Sequence, residues 1–252
     1  MAIHKTEAIV IDRKDFRETS YLLSLFTADF GKIHAQAKGA KRKIDKFGSN
    51  FVPLSYNKIV FYESINGSLN IISQADLLEH FNGIDKDIEK YTYASYFLEL
   101  INATMGLGDI NKEIFVLLKN FLNFLDKEDK IPHIVQIFEI KFLNLSGFKP
   151  RLDSCVHCNG QIFDYSRFSY VLGGILCEKC FGYELNAQKL MQGTIATLKH
   201  IEKIELKKLV GFKIVPSVFM ELKKILRTFI DYHITGEFKS LEFLKKIRYS
   251  YV

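Results

Sequence analysis

The apolar positions of this chain follow two periods, one for strands and one for helices. From Glu7 to Gln36 they come in short runs: Ala8-Ile9-Val10-Ile11, then Tyr21-Leu22-Leu23-Ser24-Leu25-Phe26-Thr27, then Lys32-Ile33-His34-Ala35-Gln36-Ala37 after a turn at Asp29-Phe30-Gly31. Runs of this length bounded by turn residues predict a strand meander. Two more runs, Lys58-Ile59-Val60-Phe61-Tyr62 and Ser68-Leu69-Asn70-Ile71-Ile72, flank Asn66-Gly67, a strong hairpin signal because both residues tolerate the positive φ of a tight turn. Five short strands in the first part of the chain predict a small closed barrel.

After about Asp76 the spacing becomes helical. Tyr93, Phe97, Leu100 and Ile101 recur on one face, as do Ile114, Leu117, Leu118, Phe121, Leu122 and Leu125. A third helix is expected after Pro132, with Ile134, Ile137, Phe138, Phe142 and Leu145 on its apolar side and Gly147 as its stop. The pattern returns over Leu190 to Leu209 and through Val218, Leu222, Ile225, Leu226, Phe229 and Ile230, where Pro216 can open the helix, and ends with a short segment from Ser240 to Ile247. The expected class is α+β. An oligonucleotide-binding type of five-stranded barrel over 1–80 precedes a mainly helical domain in two parts, 81–150 and 184–252, with a module at 151–183 inserted between them.

That module holds all four cysteines, as Cys155-Val156-His157-Cys158 and Cys177-Glu178-Lys179-Cys180, with 18 residues between the pairs. Each pair places two thiolates on a tight knuckle, and two knuckles supply the four soft ligands of a tetrahedral structural zinc ion. Such an ion has no open position for water, so the motif argues against catalysis there. Two disulfides would need an oxidising compartment, and a thioredoxin-like pair would need a βαβ context; an iron–sulfur cluster takes the same ligand count and stays open. His157 reads as a knuckle side chain rather than a fifth ligand. The segment from Phe163 to Gly174 reads as a short β-hairpin stapled by the ion.

Charge changes the picture further. The net charge of +6 is unevenly distributed: +2 over 1–80, −2 over 81–150, zero over 151–180 and +6 over 181–252. In the first block Lys32, Lys38, Lys41, Arg42, Lys43 and Lys46 have only Asp45 as a nearby acid. The helical faces near the end carry Lys199, Lys203, Lys207 and Lys208, then Lys223, Lys224 and Arg227. Basic segments of this kind are either solvated faces or footprints for a polyanion. No stretch approaches twenty uninterrupted apolar residues, and Met1-Ala2-Ile3-His4-Lys5 lacks the layout of a signal peptide, so a cytoplasmic protein is expected.

Motifs for covalent chemistry are missing. There is no Gly-x-x-x-x-Gly-Lys-Ser/Thr loop for nucleotide hydrolysis, no His-Glu-x-x-His helix and no Gly-x-Ser-x-Gly elbow, and Gly106-Leu107-Gly108 is an isolated fragment. No catalytic residue is expected.

Several stretches carry a family likeness: Glu7-Ala8-Ile9-Val10-Ile11, Glu18 to Thr27, Gly31-Lys32-Ile33, Lys38-Gly39-Ala40-Lys41-Arg42, Phe138 to Pro150 before the first cysteine pair, and Gly173-Gly174-Ile175-Leu176-Cys177 leading into the second. Together they resemble the bacterial RecO family over nearly the whole chain. The resemblance implies an oligonucleotide-binding barrel, a helical domain and a zinc-binding insertion. It also implies binding to single- and double-stranded DNA, annealing of complementary strands and, with RecR, loading of recombinase onto DNA coated by single-strand-binding protein. Nucleoid association follows from the same likeness. Ile44-Asp45-Lys46 departs from the family, which tends to keep this stretch basic or small and polar. Some relatives lack the cysteines, which implies that zinc holds structure rather than performing the function.

The expected DNA contacts are Lys32, Lys38, Lys41, Arg42, Lys43 and Lys46 on the barrel, with Lys207, Lys208, Lys223 and Lys224 as a second surface. Cys155, Cys158, Cys177 and Cys180 are the expected ligands of one zinc ion. Phe47, Phe51, Tyr56 and Tyr62 either stack on bases or fill the barrel. Two other classes stay open: a docking platform whose partners include the acidic tail of single-strand-binding protein, with incidental DNA contact, and a barrel-plus-ribbon component of transcription or RNA processing.

Overall fold

The structure, a computed structural model, describes residues 2–42, 51–64, 69–128, 133–163, 166–205, 208 and 212–250, with backbone only for 248–250. The chain forms two compact units, Met1–Asp129 with Gly236–Val252, and Lys130–Thr235.

In the first unit, strands β1 (Ile3–Phe16), β2 (Ser20–Thr27), β3 (Gly31–Ala37), β4 (Tyr56–Tyr62) and β5 (Asn70–Glu79) close into a barrel in the order β1-β2-β3-β5-β4. All neighbours run antiparallel except β3 and β5. This is the five-stranded barrel that the short apolar runs predict. β1 pairs with β2 on one edge and β4 on the other, and a bulge between Val10 and Asp12 bends it around the barrel. Ala8, Val10, Leu23, Leu25, Ile33, Ala35, Ala37, Ile59, Phe61, Ile72 and Ala75 form the interior with Phe51. Alanines alternating with larger side chains fit the narrow taper of so small a barrel. The expected turn at Asn66-Gly67 lies outside the described residues, but β4 and β5 on either side of it pair antiparallel. β5 runs on to Glu79, beyond its buried positions, because its ladder with β4 continues there.

A single turn, α1 (Asn82–Asp85), leads into α2 (Ile88–Thr104) and α3 (Lys112–Lys127). Asp87 caps α2 by accepting from the Glu89 and Lys90 amides, and Asn111 caps α3 by accepting from the Ile114 amide. Helix α3 sets Phe115 against Phe26 of β2, with ring centroids 5.9 Å apart.

The second unit contains α4 (Ile134–Leu145), β6 (Ser166–Ser169), β7 (Gly174–Cys177), a 3₁₀ segment (Glu178–Tyr183), β8 (Gln188–Lys189), α5 (Gln192–Lys203) and α6 (Pro216–His233). Gly147 adopts φ +85 two residues after α4, the left-handed stop expected of it, and Pro216 opens α6. Pro132 lies outside the described residues. Helix α5 ends at Lys203 rather than near Leu209. Half-buried Lys141 on α4 brings its ammonium to the carbonyl oxygens of Glu202 and Ile204, satisfying acceptors that a continuing helix would have used. Burial lowers the Lys141 pKa, and Glu202 pulls the other way.

The last helix, α7 (Lys239–Ser250), belongs to the first unit. There Phe238 meets Tyr96 edge-on at 5.7 Å, and Glu99 accepts from both the amide and the hydroxyl of Ser240.

Candidate nucleic-acid interface and metal centre

The candidate metal centre is built from local backbone geometry. The stretch before the first knuckle lies beside β7, with the Arg151 amide donating to Gly173, the Ile175 amide to Arg151 and the Val156 amide to Ile175. The chain then turns sharply: the Asn159 amide donates to Cys155, the Cys155 amide donates to Gly160, and Asn159 takes φ +61. The second knuckle follows from β7 into the 3₁₀ segment. β6 and β7 form the hairpin predicted for this region, paired from Ser166 opposite Cys177 to Ser169 opposite Gly174. β8 adds a third strand on the far side of β6, which two residues of sequence could not announce.

These elements bring the four cysteine sulfurs within 4.8 Å of one another. Cys155 and Cys180 are buried, Cys177 is half-buried and Cys158 is exposed. The Sγ atoms of Cys158 and Cys177 are 3.7 Å apart, close to the roughly 3.8 Å edge of a tetrahedron with metal–sulfur bonds of about 2.3 Å. Leu176 and Ala187 pack beneath the sulfurs, with Val156, Ile162 and Phe181 around them. The Arg167 guanidinium stands 4.6 Å over the Phe181 ring and braces the second knuckle against β6.

The donor set fits a metal cation. Burial pushes the Cys155 thiol up, but the amides of Cys158, Cys177 and His157 outweigh it and bring the pKa down to about 6. Burial and the neighbouring thiols push Cys180 up to about 12 and also raise Cys177. Four thiolates this close repel one another, so full ionisation requires a cation among them. His157 sits outside the ligand set: its Nδ1 is 3.7 Å from Cys180 Sγ, and its ring stacks on Tyr183 with centroids 3.5 Å apart.

The expected DNA-contacting residues occupy different environments. Lys38 and Arg42 follow β3, are exposed, and form no ion pair with another described residue. Lys41 ion-pairs with Asp15 at 2.9 Å and lies 5.5 Å from the Tyr21 ring centroid. Lys32 donates to the carbonyl oxygen and the side-chain oxygen of Asn102 on α2, at 2.8 and 3.3 Å. Burial lowers its pKa, while Asp109 acts to raise it. Lys43, Lys46 and Lys207 lie outside the described residues. In the second unit Lys223 and Lys224 are exposed on α6, and Lys208 is 3.9 Å from Glu205.

Of the aromatics considered for stacking, Phe51 and Tyr56 are buried, and Tyr62 is partly open on the barrel surface. The Tyr56 hydroxyl donates to Glu7 and accepts from Lys119, so burial first and then the Glu7 hydrogen bond raise its pKa. Phe47 lies outside the described residues. Sequence reasoning missed Arg13, whose guanidinium lies 4.7 Å over the Tyr21 ring; the β1–β2 pairing that unites them becomes visible only once the register is known.

No helix among the described residues is long and apolar enough to cross a membrane. The family described as recombination protein O N terminal matches residues 1–81, and recombination protein O C terminal matches 85–242. Similar proteins include the "DNA repair protein RecO" of Alkaliphilus metalliredigens, 32% identical over 245 residues that cover 96% of this chain and 99% of the relative. That of Thermoanaerobacter sp. is 31% identical over 249 residues, 98% of this chain and 99% of the relative. That of Caldicellulosiruptor saccharolyticus is 30% identical over 248 residues, 98% of this chain and 100% of the relative. With the barrel, the helices and the cysteine cluster in place, these matches across both parts of the chain show that it belongs to the recombination protein O family.

Proposed function

We propose that this chain is a DNA-binding recombination mediator in DNA repair, one that anneals complementary single strands and, with RecR, helps load recombinase onto DNA coated by single-strand-binding protein. The observation that carries this reading is the gathering of Lys38, Lys41 and Arg42 at one end of a closed five-stranded barrel. A barrel end lined with cations holds phosphates whatever the base sequence. Lys43 and Lys46 extend the same segment, and Lys207, Lys208, Lys223 and Lys224 offer a second strand-binding surface. Holding two strands on one protein raises their effective concentration and screens their repulsion. Annealing therefore needs no covalent step and no nucleotide fuel, and the chain acts as a mediator rather than an enzyme in the cytoplasm, at the nucleoid.

The metal is zinc in this reading, bound by Cys155, Cys158, Cys177 and Cys180. It supplies structure by tying the two knuckles to the β6–β7 hairpin. Metal analysis of the purified chain, with one zinc and no iron expected per molecule, checks this assignment.

A docking role is the second reading. Exposed Phe163, Tyr183 and Leu185 around the metal module favour it, since apolar side chains held in solvent mark contact surfaces. The deciding experiment measures binding of a labelled single strand across a salt series, for the wild-type chain and for Lys38→Ala/Arg42→Ala. The DNA-binding reading expects weaker binding and a slope smaller by about 0.7 for each phosphate that is no longer neutralised. An unchanged slope removes this barrel end from the function and leaves docking as the better account.

A further inference from the structure

The β1–β2 hairpin carries charge that the basic loop after β3 does not explain. Its register sets Asp15 opposite Tyr21, and Tyr21 opposite Ala37 of β3. The chain after β3 then folds back on the hairpin: the Gly39 amide donates to Ser20 Oγ at 3.3 Å, and the Lys41 amide donates to the Thr19 carbonyl at 3.0 Å. Tyr21 becomes the centre of a cationic cluster, with Arg13 4.7 Å and Lys41 5.5 Å from its ring centroid. Arg17 is exposed at the hairpin tip with its guanidinium 5.3 Å from the Phe16 ring centroid, at a backbone φ of +53 that side-chain-bearing residues seldom adopt.

The hairpin also carries Asp12, which lies 3.7 Å from Lys14, and exposed Glu18 next to Arg17; of its acids, Asp15 is the one ion-paired with the Tyr21 cluster. The Asp15 carboxylate binds the Lys41 ammonium at 2.9 Å, with the Asp15 side chain 75% exposed and that of Lys41 only 26% exposed. The carboxylate therefore lies on the solvent side of the cation, where an incoming phosphate oxygen would sit. We propose that Arg13, Arg17 and Tyr21 extend the nucleic-acid site onto the β1–β2 hairpin, and that Asp15 is a built-in competitor, holding Lys41 until phosphate displaces it. The inference rests on the reading above that this end of the barrel binds nucleic acid. A single-stranded backbone is the fitting ligand, because the cations are spread along a hairpin and the adjoining loop instead of converging on one point. Tyr21 positions Arg13 and Lys41 by cation–π contact and keeps both ordered while unbound.

The test is binding of a fluorescent oligothymidylate to the full zinc-loaded chain over a salt series. Asp15→Asn removes the competitor and keeps the side-chain shape; it should tighten binding about two- to fivefold, the range set by the strength of an exposed ion pair. Arg17→Gly should weaken binding and reduce the salt slope by about 0.7. Glycine adopts the backbone conformation at 17 freely, so this loss does not come from a broken hairpin. Tyr21→Phe should bind like wild type, whereas Tyr21→Leu should bind several-fold more weakly; the first two variants stand on their own should Tyr21→Leu fold poorly. Unchanged or weaker binding by Asp15→Asn, or a wild-type slope in Arg17→Gly, overturns the inference. If those variants behave like wild type while Lys38→Ala/Arg42→Ala is impaired, the hairpin alone is excluded. If Lys38→Ala/Arg42→Ala also keeps the wild-type slope, the underlying reading fails with it.

Discussion

Lys32 stands on a strand whose alternation turns it away from the barrel interior, and a lysine there reads from sequence as a phosphate contact. In the structure its ammonium donates to the Asn102 carbonyl oxygen at 2.8 Å and ties β3 to α2. Replacing it with alanine should cost about 1.5–3 kcal/mol of stability in urea denaturation, the usual range for a hydrogen bond to a charged group, and leave the salt slope of DNA binding unchanged. A fall in slope matching that of Lys38→Ala/Arg42→Ala would instead make Lys32 a phosphate ligand. Beside it, Gly31 takes φ +63, and a Cβ there would lie 2.1 Å from the Asp109 carbonyl oxygen. Gly31→Ala should cost about 2–4 kcal/mol by the same assay, since backbone strain and a clash with main chain add. A loss below about 1 kcal/mol would show that the 106–109 segment can move away. The fragment Gly106-Leu107-Gly108, which carries no motif, is thus a seat for the β2–β3 turn, with the Gly108 amide donating to Lys32. Contacts of this kind join residues some seventy positions apart, and no local pattern announces them.

At the scale of elements, most of the fold was legible. Short apolar runs bounded by turn residues marked the strands of the barrel, because each strand must help fill a small interior. Helical spacing marked α2, α3, α4 and α6, and Gly147 and Pro216 marked the end of α4 and the start of α6. The end of α5 was not legible, because it depends on Lys141 reaching across from α4. The two-residue strand β8 was not legible either, since it owes its existence to β6. The cysteine spacing marked the four-sulfur cluster directly: a knuckle is a local structure, and two knuckles bring four sulfurs into a set that could hold a metal ion. Chelation should therefore unfold the stretch around Cys155 to Cys180 while the barrel stays folded, seen as fast amide exchange in the first region and slow exchange in β1 to β5. Loss of protection in both would mean that the ion supports the whole chain. Without metal, Cys180 at about 12 and the raised Cys177 keep their protons at neutral pH, so metal binding must expel them. Affinity should rise as pH increases and fall in acid, with proton release visible by calorimetry in buffers of different ionisation enthalpy. A pH-independent affinity would contradict the ligand set.

For the whole molecule, the sequence showed where positive charge is concentrated but not how much of it is already paired. Lys41 with Asp15, Lys112 with Asp29, Lys199 with Asp153 and Arg227 with Asp231 are all engaged. Lys38, Arg42, Lys223 and Lys224 form no ion pair with another described residue. Function in this account comes from where the unpaired cations stand: one group at the end of the barrel, another on α6 of the second unit. The most direct test of that claim is the rate at which two complementary oligonucleotides anneal, one of them coated with single-strand-binding protein, in the presence of the zinc-loaded chain and without ATP, across a salt series. The account predicts acceleration that fades as salt rises and that drops when Lys38 and Arg42, or Lys223 and Lys224, are replaced by alanine. A folded, zinc-replete chain that neither binds nor anneals these strands at low salt would contradict it.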